Sequence, residues 1–98
     1  MPRPMEDIRV LDLTWVLAGP FASMILADLG AEVVKVERPP NGDISRTTGP
    51  YQNGWSGYFF SINRGKKSIS IDLRSGDGKE LFLKLVEKAD VVIENFTP

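Results

Sequence analysis

Two groups of residues near the start of this sequence have types and spacing suited to binding a phosphate-bearing ligand. Glu37 and Arg38 follow an apolar run, where a carboxylate can accept hydrogen bonds from a ribose and a guanidinium can bind a phosphate. Residues 15–17 offer apolar contact to an adenine or a thiol arm, and Gly19-Pro20 behind them suits the first turn of a helix. The order of strand, loop, helix and strand is that of a nucleotide-handling βαβ unit, although the G-x-G-x-x-G turn is missing.

Two further groups are candidates with an alternative interpretation. Arg64, Lys66 and Lys67 form a basic run that either belongs to a solvated turn or faces a phosphate-rich ligand. Asn95 and Phe96 follow the last apolar run, where a phenyl ring can stack on a flat ligand or simply mark the end of a strand. No pair of carboxylates has a spacing diagnostic of acid–base catalysis. The residues alone therefore indicate a nucleotide-type ligand on an α/β fold, and no catalytic residue.

Composition excludes several classes of function. The chain has 98 residues and a net charge of −1, which argues against a broad nucleic-acid-binding surface. It has no cysteine and no histidine, so we expect no metal site and no histidine base. No apolar run approaches the roughly 18 residues of a membrane span, and the first residues lack the apolar core of a secretion signal. We therefore expect a cytoplasmic protein without membrane contact, or a mitochondrial or peroxisomal one in a eukaryote.

The hydrophobic pattern predicts an α/β fold, a Rossmann-like open parallel sheet with flanking helices. The predicted strands are residues 8–13, 31–36, 68–73 and 90–94, and the predicted helices are residues 20–29 and 77–88. Phe21, Met24, Ile25 and Leu29 form the expected apolar stripe of the first helix. Gly30 is expected to end that helix, and Ser75 is the predicted N-cap of the second.

The remaining segments set expectations about order and completeness. Residues 38–58 are rich in glycine and proline, which predicts a long irregular loop and the most mobile part of the chain. Two helices cover four parallel strands poorly. We therefore expect residues 1–98 to be the N-terminal part of a larger domain. The apolar strand 90–94 should then be covered by another chain or cause the protein to associate.

Taken together, four motifs resemble the N-terminal region of the class III (CaiB/BaiF-type) CoA-transferases. They are V-L-D-L-T-W-V-L-A-G-P-F, L-A-D-L-G-A-E-V-V-K-V-E-R-P, N-R-G-K-K-S-I-S-I-D-L and A-D-V-V-I-E-N-F-T-P. The family includes formyl-CoA transferase, carnitine CoA-transferase, succinyl-CoA:glutarate CoA-transferase and α-methylacyl-CoA racemase. The resemblance covers essentially the whole chain. Members of the family are several times longer than this chain. It implies a segment that binds a CoA thioester as substrate, with no permanently bound cofactor.

The resemblance also implies roles for individual residues. Arg38 matches the arginine that binds the phosphate-bearing adenosine end of CoA. The other positions implied to line the CoA and acyl site are Val16, Leu17, Ala18, Ile71, Leu73, Arg74, Asn95 and Phe96. The family nucleophile is an aspartate that forms covalent intermediates with the acyl group and CoA. It lies downstream of the matched region, so the resemblance implies no catalytic residue within this chain.

One departure from the family bears on specificity. Formyl-CoA transferase has a glutamine at the position of Leu17, and leucine cannot donate a hydrogen bond there. We therefore expect a substrate other than formate or oxalate, such as a longer dicarboxylate. The resemblance further implies an acyl-CoA and a carboxylic acid as partners and an interlocked homodimer in the complete protein. Two alternatives stay open: the N-terminal part of an α-methylacyl-CoA racemase, and a non-catalytic nucleotide-binding module.

Overall fold

A four-stranded parallel sheet forms the centre of the structure, a computed structural model that describes residues 2–98. In chain order the elements are β1 (Arg9–Asp12), α1 (Ala18–Asp28), β2 (Glu32–Glu37), a 3₁₀ helix (Ile44–Thr47), β3 (Tyr51–Gln52), β4 (Trp55–Ser56), α2 (Gly57–Asn63), β5 (Lys67–Ser70), α3 (Gly76–Val86) and β6 (Val91–Ile93). The strand order of the sheet is β5-β2-β1-β6, and all three pairings are parallel. The predicted α/β fold class is therefore confirmed.

The two faces of the sheet are covered by different helices. On one face, Val10 and Val33 pack against Leu26 and Ala27, which lie in the last turn of α1. On the other face, Leu11 and its buried neighbours pack against the apolar side of α3. The central strands β1 and β2 are thus buried on both sides, which explains their continuous apolar runs.

The direction in which successive strands are added to the sheet reverses between β1 and β6. The connections from β1 to β2 and from β2 to β5 lead toward one edge, whereas α3 returns the chain to the opposite edge, beside β1. Such a switch point leaves a crevice outside the carboxyl ends of the two strands, where open α/β sheets bind their ligands. In this chain the crevice lies between residues 13–15 and residues 94–96.

The predicted helix ends are confirmed, but the predicted stripe of α1 is partly wrong. The Ser75 side chain caps α3 by accepting a hydrogen bond from Gly78 N at 2.9 Å, and Gly30 follows α1 with a φ of +109°. On α1 only Met24 of the predicted stripe is buried; the other three members are exposed. The buried side of α1 instead uses small residues, Gly19, Pro20 and Ser23, since the helix lies close against the sheet.

The predicted irregular loop, residues 38–58, is more ordered than its composition indicates. It contains the 3₁₀ helix, capped by Asp43, whose side chain accepts a hydrogen bond from Ser45 N at 3.0 Å. It also contains the β3–β4 hairpin, in which Asn53 and Gly54 both have positive φ, as an Asn-Gly turn requires. Its expected mobility stays a prediction. The third predicted strand is also shorter than expected, because regular pairing of β5 ends at Ser70. Within residues 2–98, every helix is too short or too polar to cross a membrane.

Candidate functional site

A cleft of about 310 Å³ opens at the carboxyl end of the sheet. Its walls come from the segments that follow β1, β2, β5 and β6, so it occupies the position expected at the switch point. The lining residues are Leu13, Thr14, Trp15, Val36, Glu37, Arg38, Gly42, Asp43, Ile71, Asp72, Leu73, Arg74 and Phe96. Six of these thirteen residues have apolar side chains, and two arginines supply positive charge, which suits a ligand with an apolar body and an anionic end.

The cleft brings together five of the nine residues that the sequence assigned to ligand binding. These are Arg38, Ile71, Leu73, Arg74 and Phe96, contributed by three different strand ends. Ile71 is buried and belongs to the hydrophobic core, Leu73 is half-buried, and the two arginines and Phe96 are exposed. Residues from three distant parts of the sequence thus line one cleft, and their contact with a ligand stays a prediction.

The other four predicted residues lie beside the cleft. Val16, Leu17 and Ala18 form the turn that leads from β1 into α1, and all three side chains are exposed. Asn95 lies at the opposite side of the switch point, where its amide exchanges hydrogen bonds with the Trp15 backbone: Trp15 N donates to Oδ1 at 3.2 Å and Nδ2 donates to Trp15 O at 2.9 Å. Asn95 therefore positions the turn.

Trp15 forms an aromatic wall of the cleft, between Arg38 and Phe96. The Arg38 guanidinium lies 4.9 Å from the centroid of the Trp15 ring, a cation–π contact. The ring of Phe96 meets the Trp15 ring edge-on, with centroids 6.0 Å apart and planes at 84°. In residues 2–98, no carboxylate forms a salt bridge with Arg38. Its charge is therefore available to an anionic ligand next to a flat apolar surface.

Glu37 has a structural role in place of the predicted contact with a ribose. Its carboxylate accepts hydrogen bonds from Asp43 N at 2.9 Å, from Arg46 Nε and Nη2 at 2.7 Å each, and from the Ser68 hydroxyl. Burial raises the pKa of Glu37, but these hydrogen bonds outweigh it and lower the pKa to about 2. Four donors occupy both oxygens, so no acceptor position is left for a ribose hydroxyl. Glu37 instead anchors the loop that follows β2.

The predicted basic run does not form a common surface. Arg64 pairs with Asp28 at 2.7 Å on the exposed side of α1, and Lys67 lies 3.8 Å from Glu32 near the other end of the sheet. The Lys66 side chain is buried, with Nζ 2.9 Å from Asp12 Oδ2. These three cations point to separate places because consecutive residues leaving a turn diverge. Of the two interpretations left open by the sequence, these separate contacts do not support the one in which the three cations face a common phosphate-rich ligand.

Two buried ion pairs support the turn between β1 and α1, and the sequence analysis missed both. Lys66 Nζ donates to Asp12 and also to Pro20 O at 3.0 Å. Lys35 Nζ lies 2.8 Å from Asp43 Oδ2 and donates to Thr14 O at 2.9 Å. Both pairs are almost fully inaccessible to solvent. The sequence did contain a signal for buried ion pairs, because each of the first two predicted strands includes a charged residue, Asp12 in the first and Lys35 in the second.

Burial and pairing change the acidity of these groups in opposite directions. Burial raises the pKa of Asp12, but hydrogen bonds from Ser23 and Thr14 and the charge of Lys66 bring it below its usual value. Asp43 behaves in the same way, with Lys35 as its main partner. Burial lowers the pKa of Lys66, although Asp12 opposes the change. The carboxylates therefore stay ionised, and each is occupied by donors of the protein itself.

The donor set offers nothing for a metal ion. Across the described residues, no group of three or more acidic, histidine or cysteine side chains converges on one point. The cleft instead combines apolar walls, arginines and an aromatic ring, which are features of a binding site for an organic ligand with phosphate groups.

Comparison with known proteins places this geometry in a family. The model of CoA-transferase family III matches residues 5–98. The chain belongs to CoA-transferase family III. The resemblance drawn from the four motifs is thereby confirmed, and the arginines and aromatic ring of the cleft lie in a segment that this family shares.

Curated members of family III are similar to this chain over nearly its whole length. A succinyl-CoA:mesaconate CoA-transferase from Haloarcula hispanica is 55% identical over 97 residues, which cover 94% of this chain and 24% of the relative. A succinyl-CoA:glutarate CoA-transferase from Mus musculus is 52% identical, covering 98% of this chain and 22% of the relative. This chain thus spans about a quarter of the length of the curated relatives that it matches.

A solved family III structure confirms the fold. The crystal structure of a CaiB/BaiF family protein from Brucella suis superposes with a TM-score of 0.90 at 46% sequence identity. The match covers 98% of this chain and 26% of the other chain. The parallel sheet and its switch point are therefore shared with a longer family III protein.

Proposed function

We propose that these residues form the N-terminal, CoA-binding segment of a class III CoA-transferase. The complete enzyme would move CoA between an acyl-CoA and a carboxylic acid. The observation that carries the proposal is the cleft at the switch point, which Arg74 also lines and where Arg38, without a salt bridge in residues 2–98, lies over the Trp15 ring. The family match and the names of three relatives, each of which pairs an acyl-CoA with a carboxylic acid, support the same conclusion.

The cleft suits the nucleotide end of CoA. A guanidinium that makes no salt bridge within residues 2–98 can bind a phosphate through two parallel hydrogen bonds. The ring of Phe96 and the side chain of Leu73 offer flat and apolar contact to an adenine. The volume of about 310 Å³ is at the lower end of that of small-molecule sites, so the cleft would hold part of CoA and leave the thiol arm to extend beyond it.

The turn from β1 into α1 is proposed to line the acyl end of the site. Val16, Leu17 and Ala18 are exposed beside the cleft, at the same end of the sheet as Arg38. An exposed leucine favours acyl groups that contain methylene groups. We therefore propose a dicarboxylic acid of several carbons as acceptor, in agreement with the mesaconate and glutarate named for two relatives.

Catalysis is proposed to use an aspartate outside these residues. In this mechanism its carboxylate attacks the thioester carbonyl, so that CoA leaves as a thiolate and an acyl–enzyme anhydride forms. The acids that line the cleft are engaged elsewhere: Glu37 and Asp43 are held by Arg46 and Lys35, and the Asp72 carboxylate accepts from Arg74 N at 3.0 Å. This segment would therefore bind and orient CoA, and we expect an interlocked homodimer to complete the site.

Two measurements test the proposal. Isothermal titration of CoA into the 98-residue chain should give saturable binding that is stronger than for dephospho-CoA. The complete enzyme, supplied with succinyl-CoA and glutarate or mesaconate, should form the new thioester in a chromatographic assay, whereas the 98-residue chain should form none. Absence of CoA binding by both proteins would contradict the proposal. Exchange of the α-proton of a 2-methylacyl-CoA in deuterated water, without CoA transfer, would indicate the racemase alternative.

A further inference from the structure

The turn between β1 and α1 contains a backbone conformation that its residue type disfavours. Val16 has a φ of +72°, in the left-handed region, where the branched side chain of valine crowds the backbone. Such a conformation is unfavourable for a β-branched residue and persists only where surrounding contacts impose it. Because Val16 is exposed to solvent, packing of its side chain cannot supply those contacts.

Lys35 supplies the first contact from beneath the turn. Its side chain has 1% of its surface exposed, and Nζ donates to Thr14 O at 2.9 Å. The ammonium group is paired with Asp43 Oδ2 at 2.8 Å, so its charge is compensated in the interior. A buried ammonium with a fixed partner is held in one position, and it fixes the carbonyl that it contacts.

Asp43 supplies the second contact. Its other oxygen, Oδ1, accepts a hydrogen bond from Val16 N at 3.1 Å and from Ser45 N at 3.0 Å. The Asp43 backbone N–H in turn donates to Glu37 at 2.9 Å. One buried carboxylate thus connects the turn after β1, which carries Leu17, with the loop after β2, which carries Arg38.

We propose that Lys35 and Asp43 are positioning residues that fix the backbone of residues 14–16 and thereby orient Leu17 toward the acyl group. The inference rests on the proposed function. Lys35 and Asp43 act through the turn: Asp43 lies at the edge of the cleft, but Val16 N, Ser45 N and Lys35 Nζ occupy both of its carboxylate oxygens, so it offers neither oxygen to CoA. Their two contacts bracket Trp15, so they also set the position of the aromatic wall of the cleft.

This role is separable from a contribution to stability. A buried ion pair is often no more stabilising than apolar side chains of similar size, whereas removal of one partner leaves a costly unpaired charge. The double variant Lys35→Met/Asp43→Ala removes both charges together with both contacts to the turn. Lys35→Met/Asp43→Asn also removes both charges but keeps an oxygen that can accept from Val16 N. A comparison of the two double variants therefore measures the effect of the hydrogen bond between Val16 N and the side chain at position 43.

In the complete enzyme, we expect Lys35→Met/Asp43→Ala to lower kcat roughly 10- to 100-fold, because misplaced reacting groups lose rate steeply. The Kd of CoA should rise by a smaller factor than kcat falls, because displacement of Trp15 affects one wall of the cleft while Arg38, Ile71 and Leu73 remain. The asparagine double variant should lose less kcat than the alanine double variant. Val33→Ala, a buried core change near the opposite end of β2, serves as the control for lowered Tm and should keep its kcat.

A second readout does not depend on activity. The 98-residue chain has two tryptophans, so Trp55→Phe leaves Trp15 as its single tryptophan, which can be excited at wavelengths that its two tyrosines do not absorb. In that background, the alanine double variant should shift Trp15 emission to longer wavelength and increase acrylamide quenching, while Val33→Ala should do neither. Unchanged Trp15 emission, or a kcat that falls equally in Val33→Ala at equal Tm, would overturn the proposal. Failure of the unsubstituted enzyme to bind CoA would instead overturn the proposed function.

Discussion

The guanidinium carbon of Arg38 lies over the indole of Trp15, 4.9 Å from the ring centroid, on the wall of the cleft between two strand ends. This contact positions a permanent charge without neutralising it, because the ring contributes no opposite ionic charge. The nitrogen atoms of Arg38 thus remain available to a phosphate. The pair explains how an exposed arginine can have a defined orientation before the ligand arrives.

Arg38→Ala should weaken CoA binding by about 1.5–3 kcal/mol, the size of a hydrogen bond to a charged group. Arg38→Lys should recover only part of the loss, because a lysine cannot form the planar bidentate contact. The effect should be smaller for dephospho-CoA if the 3′-phosphate is the partner. Titration calorimetry measures these affinities, with Arg64→Ala as control, since Arg64 pairs with Asp28 away from the cleft. Equal CoA affinity of the unsubstituted protein and Arg38→Ala would remove Arg38 from the site.

The central sheet could be predicted from the sequence, whereas the buried charges could not. The apolar runs around Val10 and Val33 and the caps at Gly30 and Ser75 are local signals, and each corresponds to an observed element. The partner of Lys35 depends on how the loop after β2 folds back over the sheet, which local periodicity does not encode.

The candidate site was predictable to the extent that topology determines it. Parallel strands place their carboxyl ends at one edge, and Arg38, Leu73 and Phe96, which follow three of these strands, line one cleft there, while their contact with a ligand stays a prediction. The role of Glu37 could not be foreseen, because its donors Arg46 and Ser68 come from a 3₁₀ helix and a strand edge that only the fold brings together.

Leu17→Gln should change which acids the complete enzyme accepts. Leu17 is half-exposed at the start of α1, so glutamine can replace it without disturbing the core. Each methylene group that loses apolar contact costs about 0.8 kcal/mol, which should shift the ratio of kcat/KM values from glutarate toward oxalate. Phe21→Gln, equally exposed one turn further along α1, is the matched control and should leave the ratio unchanged. A ratio that Leu17→Gln does not alter would mean that position 17 does not line the acyl site.

Gly78 permits the close approach of α3 to the segment that forms one wall of the cleft. A Cβ at this position would lie 1.9 Å from the carbonyl oxygen of Asp72, so Gly78→Ala must displace the helix or the wall. We expect a loss of about 1–3 kcal/mol in the free energy of unfolding, together with weaker CoA binding. Gly76→Ala, two residues earlier and with open space around its Cβ, should be neutral or stabilising by up to about 1 kcal/mol. Urea unfolding of the two variants checks the contrast, which equal stabilities would contradict.

Glu37 should contribute a pH-dependent part of the stability. Its pKa falls from 4.5 in an unperturbed chain to about 2 in the folded protein, so its stabilising effect is complete above pH 4.5 and disappears as the pH falls toward 2. The contribution is at most about 3 kcal/mol. Glu37→Gln should therefore lower the free energy of unfolding at pH 7, and the difference from the unsubstituted protein should shrink between pH 4.5 and pH 2. Urea titrations across this range measure it, with Glu32→Gln, an exposed partner of Arg9, expected to change little. A difference that stays constant with pH would exclude this linkage.

The outer strand β6 should make the 98-residue chain associate in solution. Val91 and Val92 keep 39% and 45% of their surfaces exposed on opposite faces of a strand whose outer edge is unpaired within residues 2–98. An apolar edge of this kind pairs readily with another chain. Val92→Lys should suppress association, because a charge on the edge opposes pairing, whereas Ile44→Lys, at a more exposed apolar position on the 3₁₀ helix, should not. Light scattering over a concentration series distinguishes these outcomes. A stable monomer of the unsubstituted chain with a cooperative melt would show that β6 needs no cover, and that these residues fold as a self-sufficient unit.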